Sequence, residues 1–398
     1  MTDRRSTPLR DRHEAAGAAF TDFGGWLMPV RYGSDLAEHR AVRETAGLFD
    51  ISHMAEFLVT GAHAGAFLDY ALAAQHSSMR LGKAKYSLVL AADGGIVDDV
   101  IVYRLADDWF IVIANAGNHD AVAVALGDAR SSFTPPAPAV AADGSFGFMA
   151  GVHVTVEDVS DESALLALQG PAAIAVLEAL PGLELAEPAR RQGDAPTPWS
   201  FDDLGYYSVR AADFAGQSVL ILRTGYTGED GVELLVRASA VGELWDALLE
   251  AGAPFGLIPA GLAARDTLRL EAGMPLYGHE LNRDVRPAQA GLGRVVAADK
   301  GAFIGKGATE PAADARVLVA LVSEGKRAGR AGYRVLDTEG GVVGEVTSGA
   351  LSPTLGRPIA LAYVDRDRSR IGTDLFIDVR GTRIPATVTE PPFYRRKK

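Results

Sequence analysis

Along most of this chain apolar residues alternate with polar ones over short stretches, the period of half-buried strands, and only a few segments carry the longer period of an amphipathic helix. Strands are predicted at residues 57–60, 86–90, 96–105 and 109–114, with helices near 64–73 and 120–129. Upstream, Thr7-Pro8 has the cap and first-turn chemistry of a short helix, and Ser34 opens a second that closes near Gly47. Strands resume at 153–156, 207–211 and 219–224, and helical periodicity returns at 241–251 and 260–273. From about residue 314 only strands and Gly/Asp turns remain, at 316–322, 333–336, 342–346, 359–364, 375–379 and 384–388, the pattern of a separate all-β barrel. Hairpins outnumber crossovers, so the class predicted is α+β and not a doubly wound nucleotide fold. Two Pro-, Ala- and Gly-rich stretches, 134–151 and 188–200, read as linkers or long loops and mark internal seams. The expected division is a region over 1–280, built of two interleaved α+β subdomains with a seam near 135–150, followed by a barrel region over 281–398.

One predicted strand carries charge where apolar residues are expected. Asp93-Gly94-Gly95 supplies hairpin turn chemistry, and the run after it, Ile96 to Tyr103, holds Asp98 and Asp99 in an otherwise apolar strand. Successive side chains point to opposite faces, so alternation groups Asp99 with Val97, Ile101 and Tyr103 and makes it the carboxylate held among apolar neighbours. A buried, unpaired carboxylate costs roughly several kcal/mol unless it is protonated, hydrogen-bonded or matched to a ligand. Asp99 is accordingly either a satisfied strand-end aspartate or a catalytic or ligand-gripping one.

With 398 residues, 48% of them hydrophobic, the chain can bury a large core and form two or three domains. Its start has no apolar leader core, and no window approaches the roughly 18 uninterrupted apolar residues of a membrane span, so cytoplasmic residence is expected and membrane association is not. The lack of Cys excludes disulfides, thiolate nucleophiles and Cys-ligated metal centres, and assigns any redox-active sulfur to a partner. A net charge of −12 argues against nucleic acid as a partner, although Arg395-Arg396-Lys397-Lys398 is locally basic. The segment GAFIGKG at 301–307 lacks P-loop spacing, no GxGxxG follows a strand, the His residues show no ligand spacing, and no GxSxG elbow is present. Nucleotide cofactors and metals are disfavoured on those grounds.

Four glycine-rich polar segments stand out: 22–26, Leu168-Gln169-Gly170-Pro171, 223–233 and Thr347-Ser348-Gly349. Each is a tight turn or a ligand loop. The run from Gly261 to Glu271 is an apolar-striped helix with Arg265 and Arg269 one turn apart on the same side. Arginine there matches either a carboxylate, with Asp266, Glu271 and Glu233 as candidates, or a planar, polar or anionic ligand.

Taken in order, DFGGWLMP, EHRAVRETAGLFDISHM, KYS, GGIVDDVIVY, LQGP, RTGYTGEDGVE, GLAARDTLRLEAGMPLYGHEL and TSGALSPTL with IALAYV strongly resemble the aminomethyltransferase, or T-protein, family of the glycine cleavage system, from about Thr7 to Tyr394. The resemblance implies a three-domain cloverleaf around a central tetrahydrofolate site, with the C-terminal all-β barrel as one domain. It implies transfer of the methylene carbon from an aminomethyl group on the lipoyl arm of H-protein to tetrahydrofolate, giving 5,10-methylenetetrahydrofolate, ammonia and dihydrolipoyl H-protein. By the same resemblance Asp99 falls on the critical acidic position, Glu233 on the pterin-gripping glutamate and Arg265 on the folate-binding arginine. Met54, Tyr86, Tyr103, Asn115, Tyr206 and Tyr226 match further pocket-lining positions, and Tyr394 a C-terminal substrate-binding position. The implied partners are tetrahydrofolate and a lipoyl-bearing H-protein, with no metal and no nucleotide. Arg190, Arg191, Lys306, Arg327, Arg330 and the basic tail are candidates for an entrance to an acidic carrier. The alternatives within the same resemblance are a tetrahydrofolate-dependent demethylase of small methylated donors and a non-catalytic folate-binding protein; the latter branch has a signature Cys that this chain lacks.

Overall fold

The computed structural model describes residues 4–136, 151–186 and 201–396. The loop expected at 188–200, most of that at 134–151, and Arg190 and Arg191 lie outside the described residues. The chain opens with helix α1 (Arg10–Ala15), a hairpin of β1 (Ala19–Phe23) and β2 (Trp26–Arg31), helix α2 (Asp35–Glu44) and strand β3 (Ala46–Asp50). It continues through β4 (Ala55–Thr60), α3 (Ala64–Ala71), β5 (Ala84–Leu90), β6 (Ile96–Ala106), β7 (Trp109–Ala114), α4 (His119–Ser132) and β8 (Thr155–Asp158). Next come β9 (Ser163–Gln169), α5 (Ala173–Ala179), β10 (Leu183–Leu185), β11 (Val209–Phe214), β12 (Gln217–Leu222), β13 (Gly231–Arg237), α6 (Val241–Gly252), β14 (Leu257–Pro259) and α7 (Leu262–Glu271). The last six strands are β15 (Val317–Ser323), β16 (Arg334–Leu336), β17 (Val342–Leu351), β18 (Pro358–Val364), β19 (Asp374–Val379) and β20 (Thr382–Thr389).

Two sheets and a barrel organise these elements. A five-stranded antiparallel sheet has the order β5-β6-β7-β4-β8, and a seven-stranded sheet the order β10-β11-β12-β13-β9-β3-β14, in which only β3 and β14 run parallel. Helices α3 and α4 cover the outer face of the first sheet through Phe67, Leu68, Val122 and Leu126 against Phe57, Val100 and Val102. Helices α5 and α6 cover the second through Val176, Leu177, Leu244 and Trp245 against Leu166, Leu234 and Ile221. The inner faces meet each other: Tyr103, Ile111 and Ile113 of the first pack with Ile51, Leu165, Leu222 and Leu235 of the second, and Ala264 and Leu268 of α7 close the layer. Burying one apolar face on helices and the other on a partner sheet is the usual solution for a two-faced sheet in an α+β protein. Among the described residues no helix is long and apolar enough to cross a membrane.

The six C-terminal strands form a closed barrel in the order β15-β18-β17-β16-β19-β20, as their alternation predicts, around Val319, Leu321, Val335, Val346, Ala362 and Ile377. It docks on the rest of the chain through α7. Leu270 packs against Ile359 and Leu361, and Glu271, fully buried, accepts from Arg43, Thr354 and Ser352. Residues between α7 and the barrel, including Leu281, Val285 and Phe303, pack instead on Leu88, Leu90 and Ile96 at the edge of the five-stranded sheet.

Several local expectations change. Ser34 does cap α2, its hydroxyl accepting from Ala37 N, but the helix ends at Glu44 and not near Gly47, because Ala46–Asp50 is wholly buried and pairs with β9. Thr7 does not cap α1; its hydroxyl donates to Asp50 at 2.5 Å. The runs flanking Gly170 and Gly231, read as turns, lead out of and into β9 and β13, neighbouring strands buried nearly throughout. Such continuous apolar runs lack the alternation that marks a half-exposed strand.

Candidate active site

The hairpin Gly94-Gly95 turns β5 into β6 with no room for side chains: a Cβ on Gly94 would lie 1.8 Å from Ala308 O, and one on Gly95 2.0 Å from Arg283 O. The β5–β6 register then slips, Val89 pairing with Asp98 but Leu90 with Ile96, so Val97 is the extra residue of a bulge. This overturns part of the alternation. Val97 packs with Val100 and Val102 in the outer core, not with Asp99, and Asp98, not Asp99, is the fully buried carboxylate. Asp99 is partly buried and faces inward beside Ile101 and Tyr103, where it lines a cavity.

The two aspartates are tied by Asn115, which follows β7. Asn115 N and Nδ2 donate to Asp98 at 2.9 and 2.8 Å, and the same Nδ2 donates to Asp99 Oδ1 at 2.9 Å. Asn118 Nδ2 adds a 2.6 Å bond to Asp98, and the Tyr86 hydroxyl a 3.1 Å bond to Asp99 Oδ2. Burial pushes the Asp98 carboxyl up to about 7, with the charge of Asp99 adding to it. Burial also pushes Asp99 up to about 6, against the hydrogen bonds from Tyr86 and Asn115. Burial and the neighbouring Asp99 hold Tyr86 well above the ordinary phenol range, so it stays a donor.

The cavity, of about 260 Å3, lies between the two sheets. Its lining brings together Met54, Tyr86, Asp99, Tyr103, Asn115, Tyr226, Glu233 and Arg265, adding Ile51, Ile113, Leu165, Tyr207, Gly225, Met274, Pro275 and Leu292. Tyr206 and Tyr394 are not in that lining. Tyr206 is 45% exposed next to Tyr207, and Tyr394 lies under the Arg43 guanidinium, 4.1 Å from ring centre to carbon. Nothing in the tandem tyrosines of the sequence distinguishes which one turns inward. The structure does so by holding Tyr207 at a φ of +56°, with its N donating to Arg223 O and its O accepting from Ala84 N, one bond to each sheet's side of the cavity.

A second polar group forms from 223–233. Tyr103 and Thr224 hydroxyls lie 2.7 Å apart, and Thr224 donates to Glu233 Oε2 at 2.6 Å. Burial raises the Glu233 carboxyl, opposed by the Thr224 bond and the charge of Arg265. Burial lowers the Arg265 guanidinium, opposed by Glu233 and Tyr226. Arg265 lies over the Tyr226 ring at 4.9 Å, and its Nη1 is buried without a hydrogen-bond partner among the described residues. Gln169, from the LQGP segment, fixes this loop: its amide donates to Thr224 O and Val232 O, and its carbonyl accepts from Thr227 at 2.9 Å. Gly225 passes so close that a Cβ there would lie 2.1 Å from Gln169 Oε1.

Aromatic and apolar walls, one glutamate, one guanidinium with a spare donor and a hydrogen-bonded aspartate make a cavity that can hold a flat ligand carrying both donors and acceptors. Residues 9–300 match the family model of the GCVT N-terminal domain, and residues 316–395 that of the glycine cleavage T-protein C-terminal barrel domain. The chain is 50% identical over 400 residues to an aminomethyltransferase of Cutibacterium acnes, covering 100% of both chains, and 48% identical to one of Streptomyces avermitilis, covering 99% of this chain and 98% of that one. The crystal structure of glycine cleavage system aminomethyltransferase T from Bartonella henselae shares its fold with a TM-score of 0.83 at 34% identity, covering 99% of each chain. The chain therefore belongs to the glycine cleavage T-protein family of aminomethyltransferases.

Proposed function

We propose that this enzyme takes the methylene carbon from the aminomethyl-lipoyl group of H-protein and delivers it to tetrahydrofolate, with Asp99 as the catalytic residue. The observation that carries this is the meeting, in one aromatic-walled cavity, of the Asn115-braced Asp99 with Glu233 and the under-partnered Arg265. Tetrahydrofolate, when bound, supplies the two nitrogens that receive the carbon.

A carboxylate accepts two parallel N–H bonds from an amidine-like edge, which is the role given to Glu233. Arg265 supplies a donor to a carbonyl of the same ring through its free Nη1. Tyr86, Tyr103, Tyr226 and Met54 form apolar walls that orient the ligand and exclude water. Tyr206 is assigned to the rim beside Tyr207, and Tyr394 to an outer contact.

As the donor's carbon parts from ammonia and from sulfur, positive charge develops on it. Asp99, fixed by Tyr86 and Asn115, is preorganised to stabilise that charge and to hold a proton at a carboxylate oxygen. Asp98 braces the turn that carries Asn115 and stays out of the chemistry. In this assignment residues 1–280 form the folate-binding region and 281–398 the barrel region, and the enzyme works in the cytoplasm.

The test is ammonia release together with 5,10-methylenetetrahydrofolate formation from aminomethylated lipoyl H-protein and tetrahydrofolate. Both products in equal amounts support the assignment. Tetrahydrofolate binding without turnover would move the donor to a small methylated molecule.

A further inference from the structure

We propose that Arg269 is a positioning residue for the cavity, through which the C-terminal barrel sets the wall formed by Met274 and Pro275; this rests on the folate assignment above. Arg269 follows Arg265 by one helical turn on α7 but is absent from the lining and is only 1% exposed. Its planar fork is divided among three places. Nε donates to Asp266 Oδ1 at 2.9 Å, Nη1 donates to Glu280 Oε2 at 3.0 Å and to Met274 O at 3.2 Å, and Nη2 donates to Ser348 Oγ on barrel strand β17 at 2.7 Å.

Glu280 completes the clamp. The oxygen that meets Arg269 also accepts from Leu276 N at 2.9 Å, so the segment 274–276 is held at its first residue by Arg269 and at its last by Glu280. Pro275, between them, offers its carbonyl to the Tyr226 hydroxyl, and Tyr226 lies under the Arg265 guanidinium. One buried ion pair thus holds one lining residue directly, Met274, fixes Pro275 between its two anchors, and reaches Tyr226 and Arg265 through Pro275.

Stability alone is a weak reason for such an arrangement, because a buried ion pair is often no better than well-packed apolar residues of the same volume. Its distinguishing feature is direction: a guanidinium presents donors along fixed, coplanar lines, and a lysine ammonium cannot reach the barrel serine, the Met274 carbonyl and Glu280 along those lines at once. Asp99 lies on β6, where its carboxylate is held by Tyr86 and Asn115 and not by Arg269 or Glu280.

The experiment compares wild type, Arg269→Lys and Ser348→Ala for tetrahydrofolate dissociation constant, KM for tetrahydrofolate, kcat with aminomethylated H-protein, and thermal unfolding. Arg269→Lys is expected to raise both the dissociation constant and KM about tenfold while kcat at saturating folate stays within about twofold; Ser348→Ala, which removes the barrel's bond to Arg269 together with a 3.4 Å contact to His279 Nδ1, is expected to raise them about threefold with little change in unfolding. Folate constants unchanged in both variants, even with lowered unfolding temperature, would overturn the proposal by reducing the clamp to a stability element. A fall in kcat with unaltered KM would overturn it equally. If Arg269→Lys does not fold, Ser348→Ala decides alone. A wild type that binds no tetrahydrofolate would remove the folate assignment itself, an outcome distinct from normal binding in wild type and variants alike.

Discussion

Asp98 and Asp99, consecutive on β6, face opposite sides of one sheet, and a single amide group, Asn115 Nδ2, donates to the carboxylates of both. The sheet is thin enough at this point for one side chain at the end of the next strand to brace the buried member of the pair and the cavity member together. An acid placed in a core strand is costly unless its oxygens are met, and here Asn115, Asn118 and Tyr86 meet them.

Asn115→Ala leaves Asp98 with the backbone bond of residue 115 and with Asn118, and leaves Asp99 with Tyr86. The expected cost is about 1–3 kcal/mol of stability, measured by denaturant unfolding, together with a loss of turnover that exceeds any loss of folate affinity. Equal losses in the two would argue against Asn115 orienting Asp99.

The aspartate pair also sets a pH dependence. Both folded-state values, about 7 for Asp98 and about 6 for Asp99, are raised from the ordinary 3.8, mainly by burial. Between those limits the folded chain binds more protons than the unfolded one, so the pair's contribution to stability is complete below the ordinary value and is lost as pH rises through 6 to 7. Thermal unfolding in a series of buffers should show this fall, and Asp98→Asn should flatten it. Turnover moves the opposite way, rising as the pair ionises, with apparent values that belong to the pair and not to either residue.

Much of this was legible beforehand. The barrel strands, the Asp93–Gly95 hairpin, the helix carrying Arg265 and the cap at Ser34 follow from alternation and turn chemistry. The place of Val97, in the outer core with Val100 and Val102 and not on the face of Asp99, did not, because a one-residue bulge breaks the alternation and leaves no mark in the sequence. Nor did β9 and β13, whose apolar runs carry no period. The inward turn of Tyr207 depends on backbone bonds to Ala84 and Arg223, far apart in the chain.

Gly225→Ala tests the link between Gln169 and the 223–233 loop. The added Cβ meets the Gln169 amide, which must give way or displace the loop. The single change should weaken tetrahydrofolate binding by about tenfold or more, and Gly225→Ala with Gln169→Ala should lose less than the sum of the two single variants. Additive losses, read from binding titrations of all four proteins, would show that the amide is not what the Cβ strikes.

Glu271 predicts a separate acid sensitivity for barrel docking. Burial works to raise its carboxyl, but bonds involving His39 and Ser352 and the charge of Arg43 outweigh it and bring it down to about 2. The stability it contributes is present above the ordinary 4.5 and is lost as pH falls toward 2. Glu271→Gln, which keeps the shape and leaves Arg43 without that charge, should cost about 3 kcal/mol near neutral pH. A cost that does not shrink on acidification, followed by unfolding of variant and wild type from pH 7 to 3, would count against this assignment.

The central claim is that the Asp99 carboxylate carries the transfer, and the most direct measurement is the single-turnover rate of 5,10-methylenetetrahydrofolate formation by Asp99→Asn at saturating tetrahydrofolate and aminomethylated H-protein. Asparagine keeps the volume and can still bond to Tyr86, so folate affinity should stay within a few-fold while the rate falls by about a hundredfold or more, roughly 2.7 kcal/mol of transition-state stabilisation. A rate within about tenfold of wild type would contradict the account and return Asp99 to the role of a satisfied strand residue.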